Sequence, residues 1–236
     1  MRGLPLGSLT RCRMKQLLTM ALIISSITLA ACAKKAEQTA SIPATPPPAQ
    51  QSAPSSAPTE PSQDEAERAK KQTLMDYATM EDQYINDPRA QWANSAKASS
   101  TFGDDGGREP SEVSVAANVI GSVDSKTWTN NHQDVGFDWL QVGFAKPVAA
   151  TEVRIVFQSG DGVEAVSKLE LADERGNWTT VWSGLSATKV DSRGGRTWFV
   201  QKFDKTAFKA NAAKITLANN VQRGYKVIDA FQLVGD

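Results

Sequence analysis

Side chains able to hold a small ligand fall into three short polar runs. The first, residues 124–134, sets Trp128 among Asp124, Asn131, His132 and Asp134. An aromatic face beside amide and acid groups is the combination that stacks on a sugar ring and bonds its hydroxyls. The second is Arg193-Gly194-Gly195-Arg196, and the third, residues 219–225, carries Arg223 and Tyr225. Each has a plainer reading. Trp128 can close a core beneath its loop, and His132 can be a solvated loop histidine. Asn131 and Asp134 are common turn formers, and Arg193 and Arg196 suit an exposed hairpin.

Catalytic chemistry finds less support. His132 is the only histidine, which removes Ser–His–Asp, Cys–His and multi-histidine metal designs. Glu152, Glu164, Glu170, Asp173 and Glu174 fall on turns or on outward strand positions, and nothing matches two of them as acid and base. Gly103-Asp104-Asp105-Gly106-Gly107 lacks the strand–loop–helix frame and Lys-Ser/Thr of a phosphate loop. The 26 basic and 26 acidic residues leave no surplus for nucleic acid. The residues therefore predict binding without catalysis, no cofactor and no metal.

The elements that must present these runs divide the chain into four parts. Residues 1–31 carry Arg2, Arg11, Arg13 and Lys15, then an apolar run from Leu17 to Ala31, the pattern of a secretory signal peptide. Met14 opens a more ordinary leader than Met1. The ending Leu29-Ala30-Ala31-Cys32 resembles a bacterial lipobox, which implies acylation of Cys32 as the mature first residue. Ala33 in place of Asp then implies outer-membrane sorting, and the expected location is the cell envelope. Residues 32–61 hold 7 of the 11 prolines and no aromatic residue, so they predict a disordered Pro/Ala/Ser-rich tether. Fully polyproline-like, it would reach roughly 90 Å.

Residues 62–89 read as a helical segment. Ser62 and Glu65 form a capping-box pattern, Asp64 with Arg68 and Glu67 with Lys71 are i,i+4 pairs, and Asn86-Asp87-Pro88 ends it. Leu74, Tyr77, Ala78 and Tyr84 share one face, interrupted by Glu81. That face predicts docking on the following domain, with a protein partner through residues 62–85 as the alternative.

From residue 90 to 236 the hydrophobic period becomes 2, and 15 of the 17 aromatic residues lie here. Runs such as 139–144, 153–157, 166–171, 178–182, 198–203, 214–217 and 227–234 predict roughly eight strands of an all-β sandwich. Trp92, Trp139, Trp178, Trp182, Phe144, Phe157, Phe199 and Phe231 are the expected core aromatics.

Four segments in order carry a family likeness. They are residues 91–104, Asp138-Trp139-Leu140-Gln141-Val142-Gly143-Phe144, Trp178-Thr179-Thr180-Val181-Trp182-Ser183-Gly184, and Val227-Ile228-Asp229-Ala230-Phe231-Gln232-Leu233-Val234-Gly235. Together they resemble the galactose-binding-like, discoidin-type (coagulation-factor type C) jelly roll, over about 145 residues. The resemblance implies a jelly-roll β-sandwich with its ligand at the loops of one end. Many members hold a structural calcium through a Glu just before the last strand's Ile-Asp-Ala-like segment. Here that position is Val227, which offers no oxygen donor, although Asp104, Asp105 and Asp124 are nearby loop acids. The expectation is a lipid-anchored envelope protein displaying a non-catalytic sandwich that binds carbohydrate or envelope glycan. The alternative is an assembly lipoprotein that docks onto a membrane protein complex through helix and sandwich.

Overall fold

The structure, a computed structural model, describes residues 62–104, 106 and 111–236. The expected leader, Cys32, the tether and Asp105 lie outside the described residues. No helix among the described residues is long and apolar enough to cross a membrane.

α1 spans Gln63–Ile85. It starts where the capping box predicts: Ser62 Oγ accepts the Glu65 N–H at 3.3 Å, and the Glu65 carboxylate accepts the Ser62 N–H at 2.9 Å. Of the two expected ion pairs, Glu67–Lys71 forms at 2.7 Å, whereas Asp64 and Arg68 form none. The Asn86 N–H bonds the Asp82 carbonyl and closes the helix before Pro88.

Among the described residues nine strands follow: β1 (Ala90–Trp92), β2 (Ser95–Ala98), β3 (Trp128–Thr129), β4 (Phe137–Gln158), β5 (Val166–Asp173), β6 (Trp178–Ser183), β7 (Arg196–Lys202), β8 (Lys209–Ala218) and β9 (Val227–Gly235). All pairings are antiparallel. Sheet A places β9 between β1 and β3 on one side and β4 on the other, with β7 beyond β4. Sheet B runs β2-β4-β8-β5-β6.

The runs 139–144 and 153–157 predicted two strands, but they are the two halves of β4. Its first half pairs with β8 in sheet B, its second with β7 and β9 in sheet A, and the register shifts between Gly143 and Val148 at the crossing. Pro147 sits there, where a missing N–H costs no ladder bond. One continuous strand thus stitches the two sheets into a jelly-roll sandwich.

Leu140, Val142, Phe144, Val153, Ile155, Phe157, Leu169, Leu171, Phe199, Ile215, Leu217 and Phe231 fill the space between the sheets. The tryptophans expected in that core are distributed otherwise. Trp182 packs at its margin, Trp92 lies under α1, and Trp139 and Trp178 sit on the outer side of sheet B. Period-2 alternation identifies a face but not which face is inward, and each of these strands offers apolar groups to both.

The outer side of sheet A is covered by α1. Met80, Tyr84 and Ile85 pack on Val156, Trp198 and Ala230, and the Tyr84 and Trp198 rings meet at 5.1 Å. Leu74 and Ala78, expected on the docking face, are exposed. Glu81, which seemed to interrupt that face, is its centre. Its carboxylate accepts from Arg196 Nε at 2.9 Å, Trp198 Nε1 at 3.0 Å and Tyr77 Oη at 2.9 Å. Burial raises its pKa, but the three donors outweigh burial and the net shift is downward. Burial and the facing carboxylate push the Tyr77 hydroxyl up to about 12.

Gly194 makes room for that contact, since a Cβ there would lie 2.2 Å from the Tyr77 ring. At the helix end, Arg154 is buried between Asp87, at 2.8 Å, and Glu152, with its guanidinium 4.5 Å from the Tyr84 ring centre. Glu81→Ala is expected to destabilise the domain by about 2 kcal/mol, because Arg196 and Trp198 lose their acceptor while the Tyr77 hydroxyl keeps the Arg196 carbonyl, and Glu81→Gln by less. Urea unfolding of the full chain followed by tryptophan fluorescence reads both.

Candidate functional site

The loops at one end of the sandwich are organised by two buried charges. The first is Asp138, near the start of β4, 1% exposed. One carboxylate oxygen accepts from Ser99 Oγ at 2.8 Å and Ser100 Oγ at 2.7 Å, the other from Asn130 Nδ2 and Asn219 Nδ2, both at 2.9 Å. His132 Nδ1 lies 3.3 Å from both oxygens. Burial raises the Asp138 pKa, but hydrogen bonds from Ser100, Asn130, Ser99 and Asn219 more than reverse it and hold the group at about 2.

The second charge is Lys226, fully buried just before β9. Its ammonium donates to the carbonyls of Gln133, in the β3–β4 loop, and of Asn219 and Gly224, in the β8–β9 loop. Burial lowers its pKa, against the pull of Asp134 and Asp138. Asn130 joins the two centres, since its Oδ1 accepts the Lys226 N–H at 2.7 Å.

Over this frame opens a depression of about 410 Å³. Phe102 and Tyr225 meet edge to face across it, their ring centres 5.0 Å apart. Ser114, Thr129, Asp161 and Arg223 complete the polar part of its lining, with Val227 on the apolar part. Among the described residues, neither the Arg223 guanidinium nor the Asp161 carboxylate makes a hydrogen bond or ion pair. The pocket therefore offers an aromatic surface, a free donor fork and a free acceptor.

The residues expected from the sequence separate into three groups. Arg223 and Tyr225 line the pocket. Asn131, His132 and Asp134 stand at the same end as framework: Asn131 accepts the Gly103 N–H at 3.2 Å and donates to the Asp104 carbonyl, while Asp134 accepts the Gly224 N–H at 3.0 Å. Of these three Asn131 is half-buried, while His132, with 53% of its side chain exposed, and Asp134 face solvent.

The third group is a correction. Trp128 is 0% exposed and its Nε1 bonds the Ser100 carbonyl at 2.9 Å, so it closes the core and presents no face to a ligand. Arg193 pairs with Asp191 at 2.7 Å and lies over the Tyr77 ring, and Arg196 holds Glu81, so both bind α1. Asp124 is occupied by Lys126 at 2.9 Å, within a turn whose N–H groups Asp229 caps.

Phe102 and Asp161 were missed. Phe102 stands in the stretch 91–104 and Asp161 in a Ser-Gly-Asp-Gly turn; an aromatic residue beside a glycine-rich loop was the available signal. As for the loop acids weighed for calcium, Asp104 accepts the Gly106 N–H and Asp124 is paired with Lys126. Among the described residues no three His, Cys, Asp or Glu side chains gather as a metal site.

No family model matches the chain, and no curated protein matches it. Solved structures similar to it are carbohydrate-binding modules and F5/8 type C, discoidin-like domains. Chitosan-binding module 1 of a chitosanase/glucanase from Paenibacillus sp. is 14% identical, covering 61% of this chain and 96% of its own, with a TM-score of 0.46. The F5/8 type C domain of a Bacteroides fragilis protein is 15% identical over 63% and 98%, at 0.48. The family 32 carbohydrate-binding module of Clostridium perfringens NanJ, in complex with galactose, is 18% identical over 61% and 98%, at 0.43. The likeness is one of fold, at low identity.

Proposed function

We propose that this chain is a lipid-anchored envelope protein whose sandwich binds carbohydrate, without catalysis, in the loop-end pocket. The observation that carries this reading is the Phe102–Tyr225 pair beside an unengaged Arg223 guanidinium and an unengaged Asp161 carboxylate. A pyranose has an apolar C–H face and a rim of hydroxyls that both donate and accept. The rings suit the face, Arg223 donates to a hydroxyl and Asp161 accepts from one. Hydrolysis of a glycoside needs two carboxyl groups across the bond, and Asp161 is the one acid among the described lining residues. The loops are tied together through Asp138 and Lys226 before any ligand arrives, which reduces the ordering that binding must supply.

The assembly reading draws on α1, whose residues 63–76 are exposed throughout, Leu74 and Met75 included. Its docking face, however, is already engaged with its own sandwich.

The test is a glycan and cell-wall polymer array probed with the full chain. Selective binding is expected, with Tyr225→Ala and Arg223→Ala each weakening it about tenfold while the melting temperature holds. A folded chain that binds no glycan, or variants that bind as the wild type does, would sink the reading. For the anchor, labelled palmitate is expected in the wild type and not in Cys32→Ala. Envelope pull-downs lost on deleting residues 62–85 would favour assembly instead.

A further inference from the structure

The two outer faces of the sandwich differ. α1 covers sheet A, while among the described residues no helix lies over sheet B. There a trough of about 410 Å³ crosses β2, β4 and β8. Its floor is set by register: Ser95, Gly143 and Ala212 are cross-strand neighbours. A Cβ on Gly143 would fall 2.4 Å from Ser95 Oγ, so the absent side chain is what keeps the trough open.

The walls carry the side chains of Asn94, Ser95, Lys97, Gln141 and Asn211. Among the described residues none of these five makes a hydrogen bond or ion pair. By contrast, the amides of Asn118, Asn130, Asn131, Asn177, Asn219 and Gln222 are all bonded within the protein. Five polar side chains without a partner among the described residues converge around a small-residue floor, an arrangement suited to bonding the hydroxyls of a ligand.

Charge narrows the class. Residues 62–236 hold 20 basic and 24 acidic residues, yet this face is basic. Lys168 and Lys214 share Glu170, at 3.1 and 3.0 Å, whereas Lys97 and Lys209 face no acid within ion-pair distance among the described residues. The row Gly143–Ala212–Ala172 continues in register to Trp178 on β6, whose ring is partly exposed with the Lys214 ammonium 4.6 Å from its centre. From β2 to β6 the face measures roughly 19 Å at the usual strand spacing.

We propose that this trough is a second binding site, separate from the loop-end pocket, and that it takes a linear acidic polysaccharide. Lys97 pairs with a sugar carboxylate, Gln141, Asn211 and Asn94 bond hydroxyls, and the chain lies along the row toward the Trp178 ring. Concavity and the four neutral polar side chains argue for a sugar polymer over a flat anionic surface.

The test is affinity electrophoresis of the full chain in gels containing sodium polygalacturonate, with dextran gels as the neutral reference. Retardation by polygalacturonate alone is expected, weakening as salt is raised. Lys97→Ala with Asn211→Ala, the first exposed and the second half-buried with no side-chain hydrogen bond among the described residues, is expected to weaken it about tenfold at an unchanged melting temperature. Tyr225→Ala, which addresses the loop-end pocket, is expected to migrate as the wild type does. Free migration of the wild type, or full retardation of the double variant, overturns the proposal. So does a loss that follows Tyr225→Ala, which would assign the polymer to the loop end. Vesicles containing phosphatidylglycerol, mixed with the Cys32→Ala chain, supply the last arm; sedimentation with them through Lys97 would make this a membrane-facing surface and overturn the polysaccharide assignment.

Discussion

Asp138→Ala is expected to destabilise the domain by about 3–5 kcal/mol, the range for removing one member of a buried charged network. Four donors converge on this carboxylate from three stretches of chain, and only Ser99 and Ser100 are neighbours in sequence. Alanine leaves one N–H of each of the Asn130 and Asn219 amides inside the protein without its acceptor, a desolvation cost of about 1–3 kcal/mol apiece, while the other N–H groups keep the His132 and Val135 carbonyls. It also takes a negative charge away from buried Lys226. Urea unfolding of wild type and variant measures the difference directly.

The same group imposes a pH dependence whose sign is fixed. The folded protein holds Asp138 at about 2, below its ordinary 3.8. Its contribution is therefore complete above about pH 5 and is mostly lost as pH falls to about 2, amounting to about 2 kcal/mol. Asp229 works in the opposite direction, because burial raises its pKa and its protonated form is favoured in the fold. The contribution of Asp138 is thus read as the difference between wild type and Asp138→Asn across that window. A variant that loses stability in parallel with the wild type from pH 4 to pH 2 would contradict the assignment.

Lys226→Met is expected to cost about 2–4 kcal/mol and to loosen the site. Methionine retains much of the apolar stem but donates nothing, so the carbonyls of Gln133, Asn219 and Gly224 lose a shared charged donor. Those carbonyls belong to the loops that carry Asp134, Arg223 and Tyr225. Hydrogen exchange separates the local effect from the global one. The Gly224 N–H, held by Asp134 at 3.0 Å, is expected to exchange faster in the variant than the strand amides do. Protection at Gly224 equal to the wild type would show that the ammonium does not hold these loops.

Much of the fold is written locally. The capping box at Ser62 and Glu65, the stop before Pro88, the period-2 runs and the glycine turns depend on neighbours within a few residues, and the structure places helix and strands where those signals stand. The single strand β4 escaped because alternation carries no label for a change of sheet; only its partners, β8 on one half and β9 on the other, define the crossing. Glu81 is the clearest case. In sequence it breaks an apolar stripe, and in the fold its acceptors meet Arg196, Trp198 and Tyr77, two of them more than a hundred residues away.

For the site, residue type and loop position determined that a polar, aromatic-bearing end existed, and Arg223 and Tyr225 could be named from that alone. Tertiary structure decided which aromatic faces solvent. Trp128 and Phe102 both stand near polar loops, but Trp128 pairs with β9 and turns into the core, while Phe102 meets Tyr225 at the surface. It also decided that Arg193 and Arg196 serve α1 and that Asp161 faces the pocket. Burial and partnership are set by contacts between segments distant in the chain, so a side chain's chemistry is legible from its type, whereas its freedom to meet a ligand depends on what the fold has already placed against it.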